Sequence, residues 1–187
     1  MSEFELRPAR RSLRLPRRDY SEAGYYFITL CSHGRDDIFG VVLDGEVHLN
    51  APGYFVREEW AQTQRSRDGV ILDEFVIMPD HVHGIILLDD LASARGKARR
   101  HHAPCSEAEW GAPTTPTERR FGAPDSGSLS TVIRSFKSAT SKWINRLRQT
   151  PGAPVWQRNF YERVIRDEDE LSRTREYIRN NPARWKM

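Results

Sequence analysis

The sequence has little cysteine and no long apolar run, and each of these features argues against particular classes of protein. Its 187 residues include two cysteines, Cys31 and Cys105, which lie far apart and form no C-x-x-C pair. This argues against a disulfide framework or a cysteine zinc site and fits a reducing cytoplasm. No apolar run reaches the ~18 residues that a membrane-spanning helix needs, and none follows the N-terminal arginines as a signal peptide requires. We therefore expect a cytoplasmic protein with no membrane partner.

The length fits one domain with a proper core, and we predict a single domain over residues 1–187. Residues 1–23 read as an irregular basic arm. Residues 92–127 are rich in Ala, Gly, Pro, Arg and Ser with little periodicity, which predicts a long flexible insertion. The insertion contains His101, His102 and Cys105, but a zinc site needs four well-spaced ligands on ordered backbone. We assign no metal there.

Acidic residues are missing from one stretch, and basic residues cluster in two. The net charge of +3 is modest, yet the N-terminal arm is rich in arginine, and residues 129–149 include five Lys or Arg and no acidic residue. Clusters of this kind on particular elements are typical of proteins that bind a phosphate backbone. A solvated face with a basic tail is the alternative.

The order of sequence patterns predicts an α+β domain. Asp44-Gly45 marks a hairpin turn, Asn50 can cap a helix, and Asp167 with Glu170 opens the last helix, which Pro182 ends. The order favours a ferredoxin-like fold with one antiparallel sheet, helices packed on one face, and the insertion between the histidine-bearing strand and the next helix. The predicted elements are a strand (25–31), a hairpin (39–49), a helix (50–65), strands (75–78 and 81–88), a helix (129–148), a strand (156–165) and a helix (from 167).

The predicted helix over residues 129–148 is amphipathic. Its buried stripe follows the helical period and is predicted to comprise Val132, Phe136, Ala139, Trp143 and Leu147. Lys137 and Arg148 lie on another face, positioned to follow a phosphate backbone.

The stretch from residue 75 to 88 contains a pair of histidines on one predicted strand. Side chains alternate across a strand, so His81 and His83 share a face, roughly 7 Å apart at Cα, while Val82 points into the core. Such a pair can chelate a metal on a rigid element. Two half-exposed histidines on a strand would give the same pattern.

The predicted last helix places a phenol and a carboxamide on one face. Tyr177 and Asn181 are at positions i and i+4, about one turn apart. This spacing can set a nucleophile beside a metal ligand, and it also occurs on ordinary helix surface. Tyr161, on the preceding strand, is a second candidate nucleophile. We favour Tyr177, because it has a partner at helical spacing.

Several short motifs, in their order and spacing, resemble the single-tyrosine HUH transposases, and specifically the REP-associated tyrosine transposase branch. HUH stands for His–hydrophobic–His. The opening residues 12–16 and the strand 26–29 also match, and the resemblance covers most of residues 10–185 except the 92–127 insertion, which is longer than expected. The four main motifs are residues 78–84 (MPDHVHG), 136–138 (FKS), 156–158 (WQR) and 177–182 (YIRNNP).

The resemblance implies that His81 and His83 bind a divalent metal, that Asn181 is the third protein ligand, and that Tyr177 is the nucleophile. It implies a ferredoxin-like fold and a substrate of single-stranded DNA with imperfect palindromic, REP-like hairpins, cleaved and rejoined through a 5′-phosphotyrosine. Two imidazoles and an amide oxygen suit Mn²⁺ well and Mg²⁺ acceptably. We expect a monomer or a homodimer. The candidate DNA-binding residues are Arg14, Arg17, Arg18, Lys137, Arg148, Arg163 and Arg166.

Two other functions stay open on the sequence. The first is a non-catalytic binding module for single-stranded DNA or RNA hairpins on a ferredoxin-like sheet, which could stack bases on Tyr25, Tyr26 and Phe27 if these were not core residues. The second is a two-histidine metallohydrolase that uses an activated water. A covalent link to the 5′ end of cleaved DNA distinguishes the three, because only a tyrosine transposase forms it.

Overall fold

The computed structural model describes residues 22–89 and 127–185. The predictions for Arg14, Arg17 and Arg18 in the arm, and for the histidines and cysteine of the insertion, lie outside these ranges. Within them, no helix is both long enough and apolar enough to cross a bilayer.

The described residues fold into strands and helices in an order close to the predicted one. Two one-turn 3₁₀ helices, His33–Arg35 and Pro182–Arg184, complete the set. The strands are β1 (Gly24–Cys31), β2 (Gly40–Leu43), β3 (Glu46–Leu49), β4 (Val70–Ile77), β5 (His81–Leu88) and β6 (Tyr161–Ile165), and the helices are α1 (Ala51–Arg65), α2 (Leu129–Arg148) and α3 (Glu168–Arg179).

The strands β1, β4, β5 and β6 form one sheet in the order β4-β5-β1-β6, and every neighbouring pair is antiparallel. β2 and β3 form a separate two-stranded ribbon between β1 and α1. Without that ribbon, the chain order is strand, helix, two strands, helix, strand. The predicted α+β class and ferredoxin-like arrangement are therefore confirmed.

The sheet separates two cores, because successive side chains on each strand point to opposite faces. On one face, Ile28 and Val82 pack with Trp60 of α1 and Phe136 of α2. We call this the first face. Val82 lies in this core, as the alternation predicted.

On the second face, Phe27 and Ile85 pack with Leu171 and Ile178 of α3. The prediction that the helices pack on one face thus holds for α1 and α2, whereas α3 lies on the opposite face. The physical reason is that β1 and β5 are apolar on both sides, so a helix on each face is needed to remove them from water.

Local sequence signals mark the hairpin turn and the starts of the helices as predicted. Asp44 and Gly45 both have positive φ (51° and 77°), the geometry of a tight hairpin turn. The Asn50 side chain accepts a hydrogen bond from Gly53 N at 3.0 Å. At the start of α3, Asp167 Oδ1 accepts from Glu170 N at 2.7 Å.

Three features differ from the predictions. β4 starts at Val70 rather than at residue 75, so this strand is longer than predicted. β6 starts at Tyr161 rather than at residue 156, because Trp156 turns inward, where its indole N–H donates to Thr140 Oγ1 at 2.9 Å.

In α2, Ile144 is buried but Leu147 is 50% exposed. The chain turns back at that point, with Asn145 Nδ2 donating to Ala153 O at 2.8 Å, so the last turn of α2 leaves the core.

Gly84 of β5 lies against the indole of Trp60 in α1. A Cβ on Gly84 would be 2.6 Å from Cζ2 and 3.0 Å from Cη2 of Trp60. The indole is held in place, because it stacks on Phe75 at 5.8 Å and meets Phe136 edge-on at 5.4 Å, measured between ring centroids. Glycine at this position therefore lets α1 pack directly on the strand that contains the histidines.

We expect Gly84→Ala to lower the free energy of unfolding by about 1–3 kcal/mol, because the added methyl overpacks against the indole. Urea unfolding followed by circular dichroism measures this. In a Trp60→Phe background the smaller ring leaves space, and the same substitution should cost clearly less. An equal cost in both backgrounds would contradict the contact as the cause.

Candidate active site

β5 presents His81 and His83 on the second face of the sheet, under α3. Both side chains are buried, and the centroids of their imidazole rings are 4.5 Å apart. They are therefore not the half-exposed surface pair that the strand pattern alone allowed.

Each imidazole is held in orientation through its Nδ1 atom. His81 Nδ1 lies 2.5 Å from Asp80 Oδ1, and His83 Nδ1 lies 2.8 Å from Thr29 Oγ1. Asp80 is buried, and its other oxygen pairs with Arg35 Nε at 3.0 Å. With Nδ1 engaged, Nε2 of each ring is left for another ligand, which is how metal-binding histidines are usually oriented.

Burial favours the neutral form of both imidazoles. Desolvation lowers the pKa of His81 below its ordinary value, although the bond to Asp80 works in the opposite direction. Desolvation, with the neighbouring His81, lowers the pKa of His83 to about 3. A neutral imidazole has a nitrogen lone pair free to bind a cation.

The C-terminal end of α3 brings Tyr177 and Asn181 to the histidines. Tyr177 Oη lies 3.3 Å from His83 Nε2, and the Asn181 side chain lies close enough to His81 to oppose the lowering of its pKa. Asn181 lies past the end of α3, but its backbone stays helical (φ −60°, ψ −43°), which preserves its i, i+4 relation to Tyr177.

These four side chains line one cavity of about 360 Å³, which we call the histidine cavity. Two residues that sequence reasoning missed, Arg184 and Trp185, also line it, together with Thr29 and Arg35. Arg184 follows Asn181 on the same short 3₁₀ turn, so the motif that ends in Pro182 continues into the site. In the sequence, His81 and His83 lie about a hundred positions before Tyr177 and Asn181. The fold brings these two pairs to one cavity.

The donor atoms in the histidine cavity fit a small divalent cation. Two imidazole nitrogens and one amide oxygen form a mixed shell that suits Mn²⁺ and Mg²⁺. In the described ranges no three residues among His, Cys, Asp and Glu come together as a metal-binding group. The predicted third ligand, Asn181, lines the histidine cavity with both histidines.

Lys137, a candidate DNA contact, is engaged within the protein. Its Nζ donates to the carbonyl oxygens of Gln157 and Asn159 at 2.8 and 3.0 Å. Burial lowers the pKa of this ammonium to about 8. A phosphate contact would compete with two existing hydrogen bonds.

The other described candidates are divided between the two faces. Arg148 ends α2, the helix that packs on the first face, whereas Arg163 lies on β6 beside the site. Arg163 Nη1 is 3.4 Å from Glu170 Oε1, and its guanidinium lies 5.9 Å from the Phe27 ring centroid. Arg166 is exposed between β6 and α3.

An ion pair that the sequence analysis did not predict connects α3 to β4, the strand at the edge of the sheet. The register of β4 shifts between Leu72 and Phe75, and Asp73 within this bulge faces Arg175 of α3. Arg175 contacts Asp73 through Nε and Nη2, at 3.0 Å to Oδ1 and 2.6 Å to Oδ2. The available signal was a pair of acidic residues that interrupts an otherwise apolar strand.

A second pair repeats this contact one helical turn further on. Arg179 Nε donates to Glu74 Oε1 at 2.7 Å. Arg175 and Arg179 lie two residues before and two residues after Tyr177, so the two ion pairs hold the helical turn that presents the phenol.

Asp73→Asn tests this anchor through stability. Arg175 lowers the pKa of Asp73 below its usual value. The ionised carboxylate therefore stabilises the fold at neutral pH, and this contribution is lost as the pH falls from about 4 through the lowered folded pKa. We expect Asp73→Asn to cost roughly 1 kcal/mol or less at pH 7, since the pair is partly exposed, and progressively less below about pH 4.

Urea unfolding of both proteins between pH 7 and pH 3 measures this difference. Glu58→Gln is the control, because Glu58 is exposed on α1 and, within residues 22–89 and 127–185, pairs only with the adjacent Arg57 at 3.6 Å. A cost for Asp73→Asn that stays constant over this pH range would contradict an ionic anchor.

No protein-family model matches the chain, whereas a protein sequence and a solved structure are similar to it. An uncharacterised protein of Haemophilus influenzae is 34% identical over 178 residues, which cover 95% of this chain and 91% of that protein. The structure of a REP-associated tyrosine transposase bound to a REP hairpin superposes with a TM-score of 0.54 at 19% identity, covering 91% of this chain and 73% of that one. The fold expected from the motif resemblance is confirmed.

Proposed function

We propose that this chain, which belongs to the same family as the Haemophilus influenzae protein and has the fold of the REP-associated tyrosine transposase, cleaves and rejoins single-stranded DNA. The meeting of Tyr177 with His81, His83 and Asn181 in one cavity is the observation that supports this most directly. Palindromic hairpin DNA is the proposed substrate, because the structure that shares the fold binds a REP hairpin.

His81, His83 and Asn181 would hold the divalent cation, Mg²⁺ or Mn²⁺. Such a cation neutralises charge on the non-bridging phosphate oxygens and stabilises the leaving oxygen. Asp80 and Thr29 hold the imidazoles through Nδ1 and leave Nε2 available. Three protein donors are an incomplete shell, which leaves positions for water and for the substrate phosphate.

Tyr177 supplies the attacking oxygen in this proposal. Its phenol loses a proton to water and its oxygen bonds to phosphorus, while the bond from phosphorus to the 3′ oxygen breaks and that oxygen takes a proton from water and leaves as a 3′-OH. The strand is then held as a 5′-phosphotyrosine. Because the bond energy is retained, another 3′-OH can reverse the step and join strands without ATP.

Arg184 is positioned to attract the substrate phosphate. It lines the histidine cavity and has no ion pair with any residue of the two described segments. A guanidinium without a carboxylate partner can form paired hydrogen bonds to phosphate oxygens.

Tyr161 is the weaker candidate for the nucleophile. Its ring centroid lies 6.2 Å from that of Phe27, and it makes no hydrogen bond to either histidine within the described ranges. Tyr177 Oη, in contrast, is 3.3 Å from His83 Nε2. The geometry therefore supports Tyr177.

The binding-only alternative loses the stacking surface that the sequence offered. Tyr26 and Phe27 are buried, one in the core of each face of the sheet, and Tyr25 is half-buried against the core of the second face. Neither the Tyr26 ring nor the Phe27 ring lies open to solvent for base stacking at this position.

Tyr177→Phe removes one hydroxyl and no charge, so it tests the nucleophile. We expect the fold and the hairpin affinity to persist, because the ring still packs against Phe27. We expect cleavage and the covalent adduct to fall by a factor on the order of 10³ or more. The assay is incubation of 5′- and 3′-labelled hairpin DNA with Mn²⁺, followed by a denaturing gel and tryptic mapping.

The mapping is decisive, because trypsin places the two tyrosines in different peptides, residues 176–179 and 159–163. Tyr161→Phe should still form an adduct on 176–179. DNA attached to 159–163, or an adduct in Tyr177→Phe, would move the nucleophile off α3. Cleavage without linkage would favour a hydrolase, and binding of every palindrome without cleavage would favour a binding module.

His83→Ala tests the metal site. Calorimetry measures the Mn²⁺ affinity of each variant. Asp80→Asn removes a residue that only orients a ligand, and we expect it to lower this affinity about 10- to 100-fold. His83→Ala removes a ligand itself, and we expect a larger loss. Cleavage should disappear in His83→Ala, while hairpin binding in EDTA stays largely intact, since Lys and Arg supply most of the affinity. His48→Ala, an exposed histidine on β3, is the control. Full cleavage by His83→Ala would overturn the assignment.

A further inference from the structure

A second cavity adjoins the histidine cavity, on the β6 side of Tyr177. Its volume is about 610 Å³, and it shares Thr29, His83 and Tyr177 with the histidine cavity. We call it the β6 cavity. The proposed cleavage step does not use it. Its other lining residues are Phe27, Tyr161, Arg163, Glu170, Arg173 and Thr174.

Two tyrosine rings flank Phe27 in the β6 cavity. The Phe27 ring is nearly edge-on to Tyr161 and to Tyr177, with centroids 6.2 and 6.1 Å away and interplanar angles of 69° and 80°. Phe27 is 7% exposed, whereas Tyr161 and Tyr177 are 38% and 41% exposed. Phe27 thus forms the floor of the cavity, and the two phenols stand beside it in contact with solvent.

Core packing does not explain the position of these tyrosines. The core of the second face consists of Phe27, Ile85, Ile165, Leu171 and Ile178, with neither tyrosine among them. An exposed ring beside an open cavity can instead stack on an unpaired base, and each such contact is worth about 5- to 150-fold in affinity. This stacking tolerates any sequence, because every base has a π-face.

Two cations lie at the mouth of the β6 cavity. Arg163 is held by Glu170 and by the face of Phe27. Arg173 is exposed and has no ion pair with a residue in ranges 22–89 or 127–185. Glu170 pairs with Arg163 through Oε1 and accepts a hydrogen bond from Arg166 N through Oε2 at 3.0 Å, so Arg163 offsets its negative charge. One guanidinium is therefore fixed and the other is free to bind phosphate oxygens.

We propose that the β6 cavity binds the unpaired base of a nucleotide next to the bond that Tyr177 attacks, with Arg173 contacting the adjoining phosphate. This rests on the proposed function, because Tyr177 is the wall that the two cavities share. The volume lies within the about 300–1,000 Å³ of small-ligand sites, which is enough for one nucleotide. A base held on one side of Tyr177 sets the register of the strand and so selects which phosphate reaches the phenol.

Photo-cross-linking in EDTA tests the site without the cleavage chemistry. The probe is an eight-nucleotide oligothymidine with one thymine replaced by 5-iodouracil, irradiated with the full chain and digested with trypsin. We expect the cross-link on peptide 159–163, which contains Tyr161. Unlabelled oligothymidine should compete, and a duplex of the same length should compete poorly. Cross-links confined to other peptides, or equal competition by the duplex, would overturn the proposal.

Affinity for fluorescein-labelled oligothymidine in EDTA gives a second measurement. Tyr161→Ala should weaken binding about 5- to 150-fold, Tyr161→Phe much less, and Arg173→Ala should reduce both affinity and salt dependence. Tyr54→Ala and Arg65→Ala are matched controls, since both residues are exposed on α1, across the sheet. A loss in the controls equal to that in Tyr161→Ala and Arg173→Ala would count against the cavity.

The cleavage assay with Mn²⁺ separates failure of this proposal from failure of the proposed function. An adduct on peptide 176–179 without a base cross-link on 159–163 would reject the β6 cavity and leave the transposase chemistry standing. A cross-link on 159–163 with no adduct would support the cavity and reject the chemistry.

Discussion

The candidate site depends on the packing of α3 across the second face of the sheet. β5 supplies His81 and His83, and α3 with the turn that follows it supplies Tyr177 and Asn181, so neither half of the site is complete alone. Apolar contacts of Ile178 and Leu171 hold α3 in place, and the arginine–carboxylate pairs at the β4 bulge set its position along the sheet edge. A displacement of this helix would separate the phenol from the histidines.

The opposite face makes β5 a rigid base for this arrangement. Val82 is fully buried between the two histidines, and Gly84 lies directly under the Trp60 indole. Asp80 and Thr29 then fix the two rings through Nδ1. The histidines are therefore oriented by packing and hydrogen bonds before any ligand binds, which is the condition for an exact ligand geometry. Tyr177 stands between two cavities, so one side chain can couple strand position to the proposed chemistry.

Much of the fold could be predicted because its signals are local. The alternation along β5 placed His81, Val82 and His83 on the correct faces, and the caps at Asn50 and Asp167 marked two helix starts. Each of these signals depends on hydrogen bonds and steric preferences within a few residues. The site residues were harder to predict. The spacing of Tyr177 and Asn181 allowed a site but was equally consistent with helix surface, and only the resemblance to a known family joined them to the histidines.

The sequence by itself determined the class of fold, most element boundaries and the list of candidate residues. The tertiary structure alone decided that α3 covers the second face, that Lys137 donates to two carbonyls, and that Asp73 pairs with Arg175. It also decided that Leu147 is exposed and that Tyr161 lines a cavity with Tyr177. The physical reason is that these relations join residues far apart in the chain. They follow from which apolar face each helix covers, and no pattern within a short window contains that information.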